Sequence, residues 1–507
     1  MLSIVRHRVR LRATVAGVKH ALLFALCTAC LACSGSHGSA REPTPPPAAK
    51  DFSATRWIPA RPTYAVGARS VRDAQRTLRD LVESFGMLAT VDLQDVAGEL
   101  AATLAVDALS PDALAAIGID LDGGLAMFSE AVNPTFVVHL QSPDQMRGFL
   151  DQLRGRPDFK VQTQIVDGVE IATAPLRHKM SLAWAIAGDW MWLHLAIEKD
   201  DGTTWFTASR HPGDPTWASD WQWAASGKTG KPAVVGIANA RALLGHLVAK
   251  VPSAAPCARL AEDVARVAIA ITGDDKHAGG RVAIDLGPAA ASVARAVRPP
   301  PDGFAAVASR AALAVQVNLD LFAIRNWVGP CLALARADLL SVLDTYGVRA
   351  GRALVLSFDP DAMSGSTGAV SLDLTSKKYF ASLLDQIPLR STLEKKRTFG
   401  PYPGKSLSVP FGPSVDYVLT DSVALAALGD GVLASVVGKG PAAGGPLLAI
   451  DVAPPVLSKA AWESALALVR APRPAWIAEH LVRWRDGHVA LSLDGTHLVI
   501  EATGNRR

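Results

Sequence analysis

Trp190, Trp192 and His194 alternate with Met191, Leu193 and Leu195. A period of two puts the two indoles and the imidazole on one side of a strand and the three aliphatics on the other. Such a row of rings can stack on sugars, acyl chains or peptide side chains. Just downstream, DPTWASDWQWAASGKTGKP (Asp214 to Pro232) adds Trp217, Trp221 and Trp223. With Trp184, these regions hold six of the chain's 12 tryptophans, so aromatic chemistry is concentrated here. Two outcomes follow. Trp190, Trp192, His194, Trp217, Trp221 and Trp223 form a ligand or partner surface, or the loop folds over the sheet and its indoles cover Trp190 and Trp192 as a satellite core.

Other reactive constellations are incomplete. Ser226-Gly227-Lys228-Thr229 ends like a phosphate-binding loop, but Gln222 stands where the first glycine is required. Asp120-Leu121-Asp122-Gly123-Gly124 lacks the third ligand and distal glutamate of a calcium loop and reads as a turn entering a strand at Leu125. His139 and His194 fall on the same strand side as the indoles, with no carboxylate at a diagnostic spacing. His488 and His497 flank the last hairpin but do not sit opposite each other. Neither a nucleophile elbow nor a zinc-binding helix occurs. The sequence therefore predicts no catalytic residue, no metal site and no cofactor.

The elements that must position these residues recur in order. GIDLDGGLAMF, FVVHLQSPDQMRGFLDQL, AIAGDWMWLHL, PAVVGIANARALLGHL and GGRVAIDLG are answered by GVRAGRALVLSF, AVSLDLTSKKYFASLLDQI, VLTDSVALAALG, PLLAIDVAPPVLSKAAW and THLVIEATG. Leu150-Asp151-Gln152-Leu153 against Leu384-Asp385-Gln386-Ile387 is one of the few close matches. Within each copy a short strand runs into an amphipathic helix and hairpins follow. Ser142-Pro143-Asp144 starts a helix with Met146, Phe149, Leu150 and Leu153 on one side. Asp167-Gly168 and Asp494-Gly495 mark two-residue hairpin turns. The expected fold is α+β, a tandem duplication of a domain with antiparallel sheet built from β-α-hairpin units and helices packed on one face. Large aliphatics recur on one strand side and small residues on the other, as in Val267 to Thr272. The second copy carries Ser422, Ala424 and Ala426 at the places matching Trp190, Trp192 and His194, so the copies diverge there.

Arg6, His7, Arg8, Arg10, Arg12 and Lys19 precede an apolar run from Ala21 to Ala32, which is the start and core of a secretory signal. Ser34 to Lys50 is Ser/Gly-rich and then Pro-rich, with little to bury, and suits a solvated tether. The expected organisation is a leader over 1–33, a tether over 34–55, a first repeat over 56–298 and a second over 302–507. Hydrophobic residues at 49% and charged residues at 19% describe a well-buried body, and a net charge of +4, partly from the leader, excludes a nucleic-acid role. Cys257 and Cys331 are the two cysteines outside the leader. They either bond, contributing about 4 kcal/mol on the loop-entropy model, or remain separate thiols.

Leu31-Ala32-Cys33-Ser34 resembles the lipobox of bacterial lipoproteins, with Cys30 after Thr28-Ala29 as the alternative. Cys30 also occupies the place where the lipobox prefers a branched aliphatic residue. Leader, Pro-rich tether and duplicated body together resemble exported lipoproteins of high-GC bacteria, which implies lipidation at Cys33 (alternatively Cys30) and transfers no other functional residue. The expectation is a non-enzymatic envelope lipoprotein on the periplasmic face or cell surface. Its partners would be the membrane, through the anchor, and an envelope protein, lipid or glycan bound at the Trp-rich face or between the repeats. An exported hydrolase with a site assembled from distant residues and a structural envelope spacer are the alternatives.

Overall fold

A computed structural model describes residues 44–89, 106–107, 110–155, 160–176, 180–198, 202–226, 230–250, 255, 258–274, 276–297, 313–318, 345–357, 367–386, 393–408, 413–437, 446–453, 458–468 and 474–507. The leader with Cys30 and Cys33, the first part of the tether, Cys257 and Cys331 lie outside the described residues.

In chain order the elements begin with β1 (Tyr64–Ala68), α1 (Val71–Ala89), α2 (Pro111–Ala116), β2 (Leu125–Ser129), β3 (Thr135–His139) and α3 (Pro143–Arg154). Two hairpins follow, β4 (Gln162–Val166) with β5 (Val169–Pro175) and β6 (Ser181–Ala187) with β7 (Trp190–Ala196). Next come α4 (Thr204–Arg210), α5 (Ala218–Ala225), β8 (Val234–Ala238), α6 (Ala240–Lys250), α7 (Ala258–Asp263), β9 (Arg266–Gly273), β10 (His277–Asp285) and α8 (Ala290–Arg295). The remainder is β11 (Leu313–Val317), β12 (Val348–Ser357), β13 (Thr367–Leu374), α9 (Lys377–Leu384), β14 (Glu394–Phe399), β15 (Tyr402–Leu407), β16 (Val415–Leu419), β17 (Val423–Leu428), α10 (Val432–Val436), β18 (Leu448–Val452), α11 (Lys459–Leu468), α12 (Pro474–Leu481), β19 (Trp484–Asp494) and β20 (His497–Arg506). The architecture is α+β with antiparallel sheet.

Local signals explain the boundaries. Ser142 caps α3 by accepting from the Gln145 N–H, Pro143 opens the first turn, and Met146, Leu150 and Leu153 are buried. Asp167 and Gly168 both have positive φ, 51° and 73°, which the tight turn between β4 and β5 requires. In β19 and β20 the turn is closed at Asp494 opposite His497, with Gly495 at φ 58°.

The chain forms two compact units: residues up to Asn239 with Ala268–Thr272, and Ala240–Val267 with Gly273–Arg507. This division does not follow the sequence repeats, because β10 pairs along its whole length with β20 and groups with the second unit. In the first unit the strands lie in the order β9-β8-β1-β2-β3-β7-β6-β5-β4. In the second unit one set runs β10-β20-β19-β18-β11, and a 6-stranded sheet runs β12-β13-β17-β16-β15-β14. The order β2-β3-β7-β6-β5-β4 thus recurs as β12-β13-β17-β16-β15-β14.

The first unit corrects the expectation of helices on one face. One face carries α3 and α2 over Phe136, Val138, Met191, Leu193 and Leu195. The other face is rich in alanines, with Ala65, Ala126, Ala183, Ala185, Ala268 and Ala270. It is covered by α4, α5 and the short turns Pro47–Ala49 and Ser53–Trp57. Small strand residues leave depth for large side chains from above, and the covering segments supply indoles and phenyl rings. The end of the expected tether is therefore part of the body: Ala49, Phe52 and Ala54 are buried, next to the buried Trp57 that opens the expected first repeat. Their apolar surface decides against a solvated linker.

Tyr64 opens β1, and its hydroxyl donates to the Val132 carbonyl at 3.2 Å. Burial pushes its phenol up from 10.0 to about 12. The neutral form is favoured by folding, so this contribution is fully present below pH 10 and is lost as the pH rises through 12. A shift of this size corresponds to a stability contribution on the order of 2–3 kcal/mol. Urea unfolding should show wild type losing more stability than Tyr64→Phe over that alkaline window; parallel losses would refute the assignment.

Candidate functional site

Strand β7 carries Trp190 and Trp192, and both are enclosed, 3% and 0% exposed. Trp57 sits edge-on to them, with ring centroids 4.9 Å from Trp192 and 5.9 Å from Trp190. Phe206 of α4 meets Trp192 edge-on at 5.4 Å. From α5, Trp221 packs on Trp217 at 5.4 Å and on Phe52 at 5.3 Å. The Trp221 ring also fills the place of a side chain at Gly67, where a Cβ would lie 2.7 Å from it. Polar groups are threaded through the layer. Trp192 Nε1 donates to Ser209 Oγ at 2.8 Å, Ser209 Oγ donates to the Trp57 carbonyl at 2.6 Å, and Trp217 Nε1 donates to the Pro59 carbonyl at 3.0 Å. His194 is buried, hydrogen-bonded to Thr135 Oγ1 at 2.8 Å and stacked on Trp205 at 4.8 Å.

These distances overturn the open-surface expectation. Trp217 and Trp221 are also buried, and Trp223 is partly buried against the same cluster. The inserted loop folds over the sheet, and the indoles form a second core layer. An uncovered layer of this size would leave several large rings in water, which burial avoids at roughly 1.5–3 kcal/mol per large side chain. His139 and His194 do lie on this face, but at opposite ends of the β3–β7 ladder: His139 of β3 faces Trp190 of β7, and His194 of β7 faces Thr135 of β3. His139 binds Asp120 Oδ2 at 2.8 Å, at the rim rather than in a shared site with His194. Asp120 also accepts from the Asp122 N–H at 3.0 Å, so the Asp120–Gly124 segment is a turn held by its own side chain. Among the described residues no group of His, Cys, Asp and Glu could hold a metal ion.

The second unit contains a feature that sequence reasoning missed. Between α9 and its 6-stranded sheet lies an apolar cavity of about 90 Å³. Its wall includes Val370, Leu372, Phe380, Leu384, Ala424 and Ala426, with Tyr417 and Leu407 toward the β15–β16 side. The cause is visible by comparison with the first unit. Ser376 caps α9 as Ser142 caps α3, and the Leu374 N–H donates to the Ser422 carbonyl as the Leu140 N–H donates to the Asp189 carbonyl. This register places Ala424 and Ala426 where the first unit has Met191 and Leu193, both essentially fully buried. It also places Phe380 and Leu384 where the first unit has Met146 and Leu150. Two alanines therefore replace two long side chains beneath the helix, and the space is left open.

The same register corrects the sequence alignment. The residues sharing a face position with Trp190, Trp192 and His194 are Val423, Leu425 and Ala427, whereas Ser422, Ala424 and Ala426 belong one residue away and on the opposite side. At the polar edge of the cavity the Tyr417 hydroxyl donates to Glu394 Oε1, and Lys405 Nζ binds Glu394 Oε2 at 2.7 Å. The arrangement can hold an apolar group inside and keep charges outside. Among the described residues, its lining carries no charged side chain.

No protein-family model matches the chain. No curated protein matches it in sequence. Among solved structures, crystal form III of TP0453 is similar at 8% identity and a TM-score of 0.29, over 46% of this chain and 79% of that one. Crystal form IV gives 8% identity and 0.28 over 48% and 83%, and crystal form I gives 9% and 0.27 over 46% and 78%. A likeness this slight carries neither a fold nor a function across.

Proposed function

We propose that this protein is an exported, lipid-anchored binding protein of the bacterial envelope, without a catalytic role, whose second unit takes an apolar chain into the cavity beneath α9. The observation that carries this reading is the cavity itself, formed where Ala424 and Ala426 stand in place of Met191 and Leu193. Cavities lined only by aliphatic and aromatic carbon stay dry and favour apolar occupants. At about 90 Å³ it has room for the end of an alkyl chain rather than a whole lipid. The leader ending at Cys33 supports export and anchoring, which would bring the cavity to membrane-derived ligands. The enclosed tryptophans take no part in this reading.

Binding of a fluorescent polyene fatty acid to the purified chain tests it. Saturable binding is expected. The double variant Ala424→Met/Ala426→Leu, which installs the first unit's side chains, is expected to weaken it by about tenfold or more, matching the loss of roughly 1.4 kcal/mol or more. Its melting temperature should stay level or rise, because filling a void removes the energetic penalty of the cavity. Absence of saturable binding, or equal binding by the filled variant, would refute the proposal.

A further inference from the structure

The last strand of a sheet presents unpaired N–H and C=O groups, and natural sequences blunt such edges with charge, proline or bulges. Among the described residues, strand β4 ends the first unit's sheet, and within Gln162–Val166 it has none of these devices. It reads Gln162-Thr163-Gln164-Ile165-Val166, pairs with β5 without a register shift, and exposes Gln162 to Ile165. Ile165 is 79% exposed, the highest value among the large exposed hydrophobics Ile165, Ile269 and Tyr379. The strand at the corresponding end of the 6-stranded sheet, β14, is built differently, with Glu394, Lys395, Lys396 and Arg397 in succession.

We propose that β4 is a docking strand for a second copy of this chain, joined antiparallel about Gln164. In a two-fold pair each residue meets its symmetry mate. Gln164 then faces Gln164, Thr163 faces Ile165, and Gln162 faces Val166, so no like charges oppose each other and Ile165 gains a neighbour. The same operation on β14 would set Lys396 against Lys396 and Lys395 against Arg397, an arrangement of like charges that destabilises a strand pair. The charge on the two edges thus selects β4 and excludes β14.

An antiparallel ladder between two different strands shows what its centre can carry. In the β10–β20 ladder His277 lies opposite Asn505 and Asp285 opposite His497, while Arg281 and Glu501 face each other at the centre. His277 and His497 each begin the strand that follows a hairpin turn. Two different strands can place opposite charges at that centre, and the Arg281–Glu501 pair at 3.4 Å does so. A strand meeting its own copy has identical residues there, and a neutral, hydrogen-bonding Gln164 suits that position. Five residues on each side bury less than the roughly 800 Å² per partner of a standard interface, so the dimer is weak and concentration-dependent.

Sedimentation velocity of the purified full chain across the micromolar to millimolar range tests this. Wild type is expected to pass from monomer to dimer and no further. Gln164→Lys, which puts like charges at the two-fold centre, is expected to weaken association by about tenfold or more at an unchanged melting temperature, and Lys396→Gln to leave it unchanged. A wild type that stays monomeric, one that grows beyond a dimer, or a Gln164→Lys variant that associates like wild type would each overturn the proposal.

Discussion

A chain beginning at residue 58 is expected to lose the folded first unit, whereas one beginning at residue 44 keeps it. The difference is a segment whose composition resembles a linker and whose side chains do not behave as one. Phe52 and Trp57 are 4% and 1% exposed, and Trp57 is the ring against which both Trp190 and Trp192 pack. Its carbonyl also accepts the Ser209 hydroxyl that in turn receives the Trp192 indole N–H. Replacing one buried aromatic by alanine costs about 3–5 kcal/mol, and whole domains are stable by about 5–15 kcal/mol. Loss of both rings, together with exposure of Trp192 and Trp221 beneath them, consumes most or all of that margin. Trp57→Ala alone should lower unfolding free energy by about 3–5 kcal/mol. Near-UV circular dichroism and urea unfolding followed by tryptophan emission report the result. Melting of the 58–507 chain within a few degrees of the 44–507 chain would show that the cover is dispensable.

Periodicity revealed which side chains share a strand side, and it did so correctly for Trp190, Trp192 and His194. It could not show what lies above them, because a row of indoles has the same spacing whether it faces water or a second layer. The covering residues come from Ser53–Trp57, α4 and α5, segments without a repeating pattern of their own. Phe52 was hidden by the neighbouring Pro-rich stretch, which placed it in the expected tether. The start of α3 and the Asp167-Gly168 turn were legible for the opposite reason: their signals are local and chemical, a capping hydroxyl and a backbone that favours positive φ.

The cavity was illegible because it depends on register. Between the two strand sets a shift of one residue exchanges the two faces of β17. Matched one way, Ala424 stands for Trp192 and suggests a vanished aromatic surface. Matched as the hydrogen bonds require, it stands for Met191 and opens a void beneath α9. The close match of Leu150-Asp151-Gln152-Leu153 with Leu384-Asp385-Gln386-Ile387 already carries the right offset for the helix. It ends before β7 and β17, where the offset changes by one.

Gly118→Ala is expected to destabilise the first unit by about 2–4 kcal/mol, combining the penalty of a left-handed backbone with overpacking. Gly118 has φ 92°, and a Cβ there would lie 2.3 Å from the Ser142 carbonyl oxygen, which is backbone and cannot swing aside. Its own carbonyl accepts the N–H groups of Gln141 and Ser142 at 2.9 and 3.1 Å, so the glycine fixes the entry of α3. Gly347 occupies the same place before α9, with φ 74° and a carbonyl that accepts the Thr375 N–H at 2.7 Å. There the atoms nearest to an added Cβ are the Thr375 hydroxyl at 3.1 Å and the Ser376 backbone N and O at 3.3 Å, a looser approach than the 2.3 Å at Gly118. Gly347→Ala should therefore cost about 1–2 kcal/mol, mainly the backbone penalty. Urea unfolding of the two variants distinguishes shared architecture from coincidence. Both should destabilise, in the order Gly118 above Gly347, and a tolerated alanine at either position would mean that the matching turns do not set the helices above their sheets.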